Sequence, residues 1–435
     1  MKVKIDNLAA KLEAAMGSGI VERSTDTLAS YNIDGKSPSI VCTPRDAEQV
    51  SAALRLCAEG EASVIPWGGG TAIGLGNIPR QADVIVGLER LDGLIEHDDA
   101  NLTATVQAGL KVATLQKILA ERNQFLALDP PCPDAATIGG TVAANINGAR
   151  RMLHGGVRDL VIGMKIALAN GQRIKAGGKV VKNVAGYDMC KLFVGSLGTL
   201  GVITEVTFKM APIPQSAATL VAFGPLPQGL RLADELSQSA LLPAAVAILS
   251  ADVAESTNLS SKIPAVAVWA EGFEEAVARH LREVQELAVR IGLTVEILRG
   301  EAHQQLWGHL CNFGTNGKKV VYQLTIPLAS VAEVVAKIDR WSASGCPARY
   351  IAHAGSGTVS VFLDAEPSSA VWFGKLSALA QEQRGHVVMV AAPPAFKEGI
   401  DVWGSSPPSL AIMREIKRQF DPQGILNPGR FIARL

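Results

Sequence analysis

Three stretches of small residues carry the most chemistry in this sequence. The run Pro66-Trp67-Gly68-Gly69-Gly70-Thr71-Ala72-Ile73-Gly74-Leu75-Gly76 has five glycines in nine positions and follows a predicted strand, Ser63 to Pro66. Glycines clear side chains from the backbone, so that successive N–H groups can converge on an anion. The run is not a Walker loop, because no Gly-Lys-Ser/Thr follows. It also lacks the G-x-G-x-x-G spacing and the ensuing helix of a dinucleotide fingerprint. A second stretch, Ala135-Ala136-Thr137-Ile138-Gly139-Gly140-Thr141, opens a small-residue helix through Asn145. Set opposite the first loop, that helix N-terminus would add donors to the same diphosphate. The third, Gly195-Ser196-Leu197-Gly198-Thr199-Leu200-Gly201-Val202-Ile203-Thr204, enters a strand whose backbone could bond the edge of a flat ring. Each stretch taken singly also reads as an ordinary tight turn.

The elements around them alternate. Ser39–Cys42 reads as a strand, and Asp46 caps a helix to about Glu59 with Val50, Ala53, Leu54 and Cys57 on one face. Strands follow at Asp83–Leu88 and Leu102–Gln107, then a helix at Val112–Arg122. Leu160–Leu168 and Gln172–Lys175 form a hairpin about Asn170-Gly171, Tyr187–Val194 reads as helical, and Leu200–Met210 is a strand. This density of strands and helices indicates an α+β domain. The Ala211-Pro212-Ile213-Pro214 run marks a boundary. Beyond it the order β-α-β-β-α-β occurs twice, over 218–298 and 319–391, as in a duplicated ferredoxin-like unit. The expected division is a helical lead-in at 1–37, a first domain at 38–214, a cap at 215–392 and a C-terminal segment at 393–435 that returns to the first domain.

Bulk properties exclude several classes. The 435 residues are too many for one ordinary core. Lys+Arg and Asp+Glu both number 41, and no long basic run occurs, so neither nucleic acid nor an anionic membrane is an expected partner. Zero net charge gives little colloidal repulsion and suits a chain that lives in a complex. No signal peptide or apolar run of spanning length is present, which predicts a cytoplasmic protein or one held peripherally at the inner membrane face through partners. The 6 cysteines contain no C-x-x-C pair, so no iron–sulfur or zinc site of its own is expected.

Together and in this order, the three loops resemble the FAD-binding domain of the vanillyl-alcohol oxidase and p-cresol methylhydroxylase superfamily. The likeness covers about 38–214, and the duplicated pattern resembles the superfamily's cap. Phe420-Asp421-Pro422-Gln423-Gly424-Ile425-Leu426-Asn427-Pro428-Gly429-Arg430 is similar to its D-lactate and glycolate oxidase branch. The stretch Gly177-Gly178-Lys179-Val180-Val181-Lys182-Asn183-Val184-Ala185-Gly186-Tyr187-Asp188 resembles the flavin-binding E subunit of bacterial glycolate oxidase (glycolate dehydrogenase). The resemblance implies that Trp67, Gly68, Gly69, Gly70, Thr71, Ala72 and Gly74 hold the pyrophosphate. Thr137, Ile138, Gly139, Gly140 and Thr141, with Asn145, would line the diphosphate and ribityl chain. Gly198, Val202 and Ile203 would flank the ring system. The first loop has no histidine to tether the cofactor, so non-covalent FAD is expected.

The pattern also breaks. Catalytic members of the branch carry an Arg and a Thr that grip a carboxylate, and those positions fall on Val181 and Ala185. A guanidinium clamps a carboxylate through two hydrogen bonds; valine cannot. Of two metal-binding histidines in the cap, His353 is kept and the other falls on Ser360. A lone imidazole makes a poor metal site, so no metal is expected. Tyr187, His353, Lys182 and Asn183 remain as catalytic candidates. The resemblance implies a subunit that supports oxidation of glycolate, or D-lactate, with a sister FAD-linked catalytic subunit and an iron–sulfur subunit as partners. A freestanding FAD-dependent dehydrogenase and a scaffold with a vestigial cleft are the alternatives.

Overall fold

The computed structural model describes residues 2–17, 19–179, 187–315, 319–345 and 347–435. The chain divides into two compact units. The first comprises 1–146, 156–212 and 397–435, and the second comprises 147–155 and 213–396. Two of the sequence-derived catalytic candidates, Lys182 and Asn183, lie outside the described residues, as do Val181 and Ala185.

The first unit is built on two main sheets. In one, Ile40–Cys42 and Val64–Trp67 flank Val84–Gly87 in parallel. Its strands are short and apolar because both faces are covered: Ile40, Val41, Val64, Ile65, Val84 and Ile85 are buried. The helix Ala47–Glu59 packs Val50, Ala53, Leu54 and Cys57 inward, and Asp46 accepts the Gln49 N–H at 2.8 Å as its N-cap. Val64–Trp67 ends by releasing the first glycine run from its carboxyl end, where parallel sheets commonly take ligands. The other sheet is antiparallel, in the order Leu94–Asp98, Thr103–Gln107, Val202–Lys209, Val161–Ala167, Arg173–Gly177. Leu94–Asp98 alternates too weakly to be read as a strand from sequence.

The second unit is organised on one eight-stranded antiparallel sheet. Its order is Thr294–Arg299, Ser216–Phe223, Ala265–Gly272, Ala245–Leu249, then Arg349–His353, Thr358–Asp364, Lys319–Thr325, His386–Ala391. Within each half the strands run 4-1-3-2 and then 2-3-1-4, so the two β-α-β-β-α-β halves meet on equivalent strands. The helix Glu274–Ile291 buries Val277, Leu281, Val284 and Ala288 at helical spacing and ends at Gly292 in the left-handed region. The helix Gly300–Asn312 contributes Leu306, Trp307 and Leu310 to a core with Trp269, Ile351 and Phe362. Residues 147–155 also belong to this unit, a nine-residue excursion from within the first unit's sequence.

Candidate cofactor site

The three loops converge within the first unit. Pro66, Trp67, Gly68, Gly69, Gly70, Thr71, Ala72, Thr137 and Gly140 line one open cleft with Leu197, Asn427 and Arg430, among others. The glycines of the first run turn out to serve contact between loops as much as access for a ligand. A Cβ at Gly68 would land on the Thr137 side chain, and one at Gly69 on the Ala135 carbonyl. A Cβ at Gly198 would press on Pro66 at 3.0 Å. The loops are therefore seated directly on one another.

The backbone on the cleft side is unsatisfied. Among the described residues no acceptor takes the N–H groups of Gly68, Gly69, Gly70, Thr71 or Ala72, whereas Ile73 N–H donates to Gly70 O at 3.1 Å and Leu75 N–H to Ala72 O at 3.0 Å. None of these residues is buried, so five successive amides stay open to the cleft and available to a ligand that accepts hydrogen bonds.

The second loop contributes differently from the sequence expectation. Ile138 N–H donates to Leu110 O at 2.9 Å and Gly139 N–H to Ala108 O at 2.7 Å. Gly139 is a glycine because a Cβ there would meet Ala108 Cβ at 2.7 Å. Thr141 is buried, and its hydroxyl donates to Thr137 O at 2.8 Å. The helix Ile138–Ala144 thus spends its first amides on the neighbouring backbone, leaving Thr137 and Gly140 to face the cleft. Asn145 closes the helix in the left-handed region and stands outside the lining. Val202 and Ile203 also stand outside it, because they pair with Ala167 and Ile166 and are buried in the antiparallel sheet. Gly74 and Gly198 support the loops from outside the lining as well.

Sequence reasoning missed Leu197, Asn427 and Arg430. Leu197 adopts φ 51° in the turn before the strand, and its N–H donates to Ala143 O at 2.8 Å. Asn427 donates through Nδ2 to the Leu197 carbonyl, which fixes its amide orientation and leaves its buried Oδ1 without a partner. The signal was present in the Asn427-Pro428-Gly429-Arg430 motif, but sequence alone does not show that this tail reaches the cleft. Lys417 holds the turn from below: its Nζ donates to Thr199 O at 2.8 Å and Leu426 O at 2.9 Å and pairs with Asp421 at 2.5 Å.

Of the catalytic candidates, Tyr187 belongs to the first unit and His353 to the second, while Lys182 and Asn183 lie outside the described residues. Tyr187 is 92% exposed, and the helix that follows begins only at Cys190, where Cys190 and Phe193 supply the buried face. His353 sits on the second unit's sheet, opposite Ala247 and Thr358. Its Nδ1 is sealed from solvent without a hydrogen-bond partner, and burial pushes its pKa down to about 4. Ser360 lies on the adjacent strand, paired with Ile351. In the same unit His154 Nε2 lies 2.6 Å from the buried carboxylate of Glu271.

The comparisons agree with this geometry. The FAD binding domain family matches residues 38–177, and the C-terminal domain of FAD linked oxidases matches 404–431. Curated relatives include glycolate oxidase subunit GlcD of Bacillus subtilis, 28% identical over 91% of this chain and 89% of that protein. They also include the mitochondrial D-2-hydroxyglutarate dehydrogenase of Rattus norvegicus, 29% identical over 89% of this chain and 77% of that one. Among solved structures, p-cresol methylhydroxylase with substrate bound superposes with TM-score 0.78 at 18% identity, covering 99% of this chain and 97% of that one. The fold and cleft are those of an FAD-linked oxidoreductase. The chain carries an FAD binding domain over 38–177 and an FAD linked oxidase C-terminal domain over 404–431, it shares the fold of p-cresol methylhydroxylase, and FAD is its cofactor.

The site fits that cofactor. Five free amides suit a diphosphate, and the acceptor Oδ1 of Asn427 suits a hydroxyl or ring N–H. No histidine occurs among the described residues of the lining, which is consistent with non-covalent FAD.

Proposed function

We propose that this chain is the FAD-binding subunit of a glycolate dehydrogenase complex, one that also accepts D-lactate and passes electrons to a sister flavin subunit and an iron–sulfur subunit. One contrast carries the reading: the cradle is complete, whereas the residues that would hold a hydroxy acid are reduced. Val181 and Ala185 replace a carboxylate clamp, and Ser360 replaces a second imidazole beside His353. The similarity to a protein named glycolate oxidase subunit GlcD supports the substrate class. Bound FAD supplies two-electron acceptance from a carbon–hydrogen bond and onward one-electron transfer. The chain's own part is to bind and orient it: residues 68–72 donate N–H groups, and Thr137 and Gly140 close the opposite wall.

A freestanding hydroxy-acid dehydrogenase is the second reading, favoured by the His154–Glu271 pair. A carboxylate 2.6 Å from an imidazole Nε2 orients the ring, as a proton acceptor for a substrate hydroxyl would need.

Reconstitution separates the two. The purified chain is assayed for dye reduction with glycolate, alone and with the two partner subunits. The subunit reading expects a yellow protein active only in the mixture. Full activity of the chain alone rejects it in favour of the freestanding enzyme.

A further inference from the structure

The first glycine run has a charged underside. Arg430 is 2% exposed, and its NH2 donates to the carbonyls of both Ile73 and Leu75. Between them Gly74 O accepts from Lys397 Nζ at 2.6 Å. Three successive carbonyls thus turn toward two buried cations, on the run whose preceding amides, 68–72, lack partners. The cations are not equivalent. Lys397 is neutralised by both oxygens of Asp34, at 3.0 and 2.8 Å. Arg430 has no carboxylate in bonding distance, and its buried NH1 has no partner at all.

This leaves one positive charge uncompensated inside the first unit, on the wall of the cleft. Burial lowers the Arg430 pKa to about 10, so the guanidinium is still charged at neutral pH. A buried, unpaired charge is strongly unfavourable, and a partner anion removes the penalty. Backbone amides alone would hold an anion without balancing its charge.

We infer that Arg430, through NH1, is the counter-charge of the cofactor diphosphate, so that the C-terminal tail completes the cradle. The role rests on FAD being the ligand. It also gives the returning tail a function beyond packing. Arg430 O is fixed by Asn77 N–H at 3.0 Å and Trp403 Nε1 at 2.9 Å, so the guanidinium is anchored at its own backbone as well as at the loop.

The test uses the full apo-chain and two flavins. FAD carries the diphosphate; riboflavin carries the same ring and ribityl chain without phosphate. Dissociation constants come from flavin fluorescence for the wild type, Arg430→Gln and Arg430→Lys. A charge-assisted hydrogen bond lost from a buried site corresponds to about 10–100-fold in affinity. Arg430→Gln is expected to weaken FAD by that factor and to leave riboflavin within about twofold. Arg430→Lys, which keeps the charge, is expected to fall between them, and it stands in if the glutamine variant does not fold. Equal weakening of both flavins assigns Arg430 to loop support alone and overturns the inference, as does unchanged FAD affinity. Inorganic pyrophosphate gives a readout on the unaltered protein: it is expected to displace FAD and raise the melting temperature of the apo-chain. Failure to do either overturns the role while leaving FAD binding intact. A wild type that takes up no FAD overturns the cofactor assignment itself, and the role with it.

Discussion

The first unit and the second unit both leave polar groups unpaired, but they do so differently. In the first, five amides, Arg430 NH1 and Asn427 Oδ1 belong to residues lining a single cleft. In the second, some buried polar groups answer one another. His303 Nδ1 lies 2.7 Å from the Thr219 hydroxyl, which also accepts from Trp307 Nε1 at 2.8 Å, and His154 pairs with Glu271. His353 Nδ1 remains unpaired there, as do Gln228 Oε1, Trp269 Nε1 and Glu271 Oε2. Unpaired groups on the lining of one open cleft point to a ligand there.

The largest effects should come from breaking the cradle. Gly69→Ala forces a Cβ onto the Ala135 carbonyl, so the two loops cannot both keep their places. Purified protein is expected to be colourless, with the ratio of 450 nm to 280 nm absorbance near background. Gly140→Glu sharpens the point. A Cβ there meets only Thr137 Oγ1, at 3.1 Å, so the fold should persist by circular dichroism while a carboxylate in the cleft excludes the diphosphate. Stoichiometric FAD in this variant would show that the cradle is misassigned.

His353 tests the other side of the comparison by pH. Its pKa is about 4 in the native chain against about 6.5 unfolded, so the unfolded state binds the extra proton between those values. Stability is complete above about pH 6.5 and is lost as pH falls toward 4, by at most about 3 kcal/mol from this group. Denaturant midpoints across that window should flatten in His353→Asn. An unchanged slope would mean that His353 is paired in solution. The smallest effect is expected at Gly74→Ala. A Cβ there meets nothing within 4 Å and φ is ordinary, so FAD content and stability should stay within about 0.5 kcal/mol of wild type.

Residue type made much of this legible. The cap's alternation of strands and helices follows from periodicity; the helix Glu274–Ile291 and the strand His386–Ala391 have the bounds that periodicity gives. The loops were visible because glycine has few reasons to cluster. What sequence could not supply was contact across long separations. Gly69 answers to Ala135, and Arg430 answers to carbonyls 357 and 355 residues away. Nothing in residues 147–155 signals that they pack with the second unit, because their composition resembles their neighbours'. The helical stretch expected from Tyr187 to Val194 shortens to Cys190–Phe193, whose Cys190 and Phe193 fill the buried face and leave Tyr187 exposed.

One measurement addresses the central contrast between a complete cradle and a reduced substrate site. The purified holo-chain, without partners, is mixed anaerobically with excess glycolate while flavin absorbance near 450 nm is followed, and the flavin is then released by acid. The account predicts no bleaching on the timescale of turnover and full recovery of free FAD in the supernatant. Rapid bleaching by glycolate alone would contradict it, because the chain would then carry a working substrate site of its own.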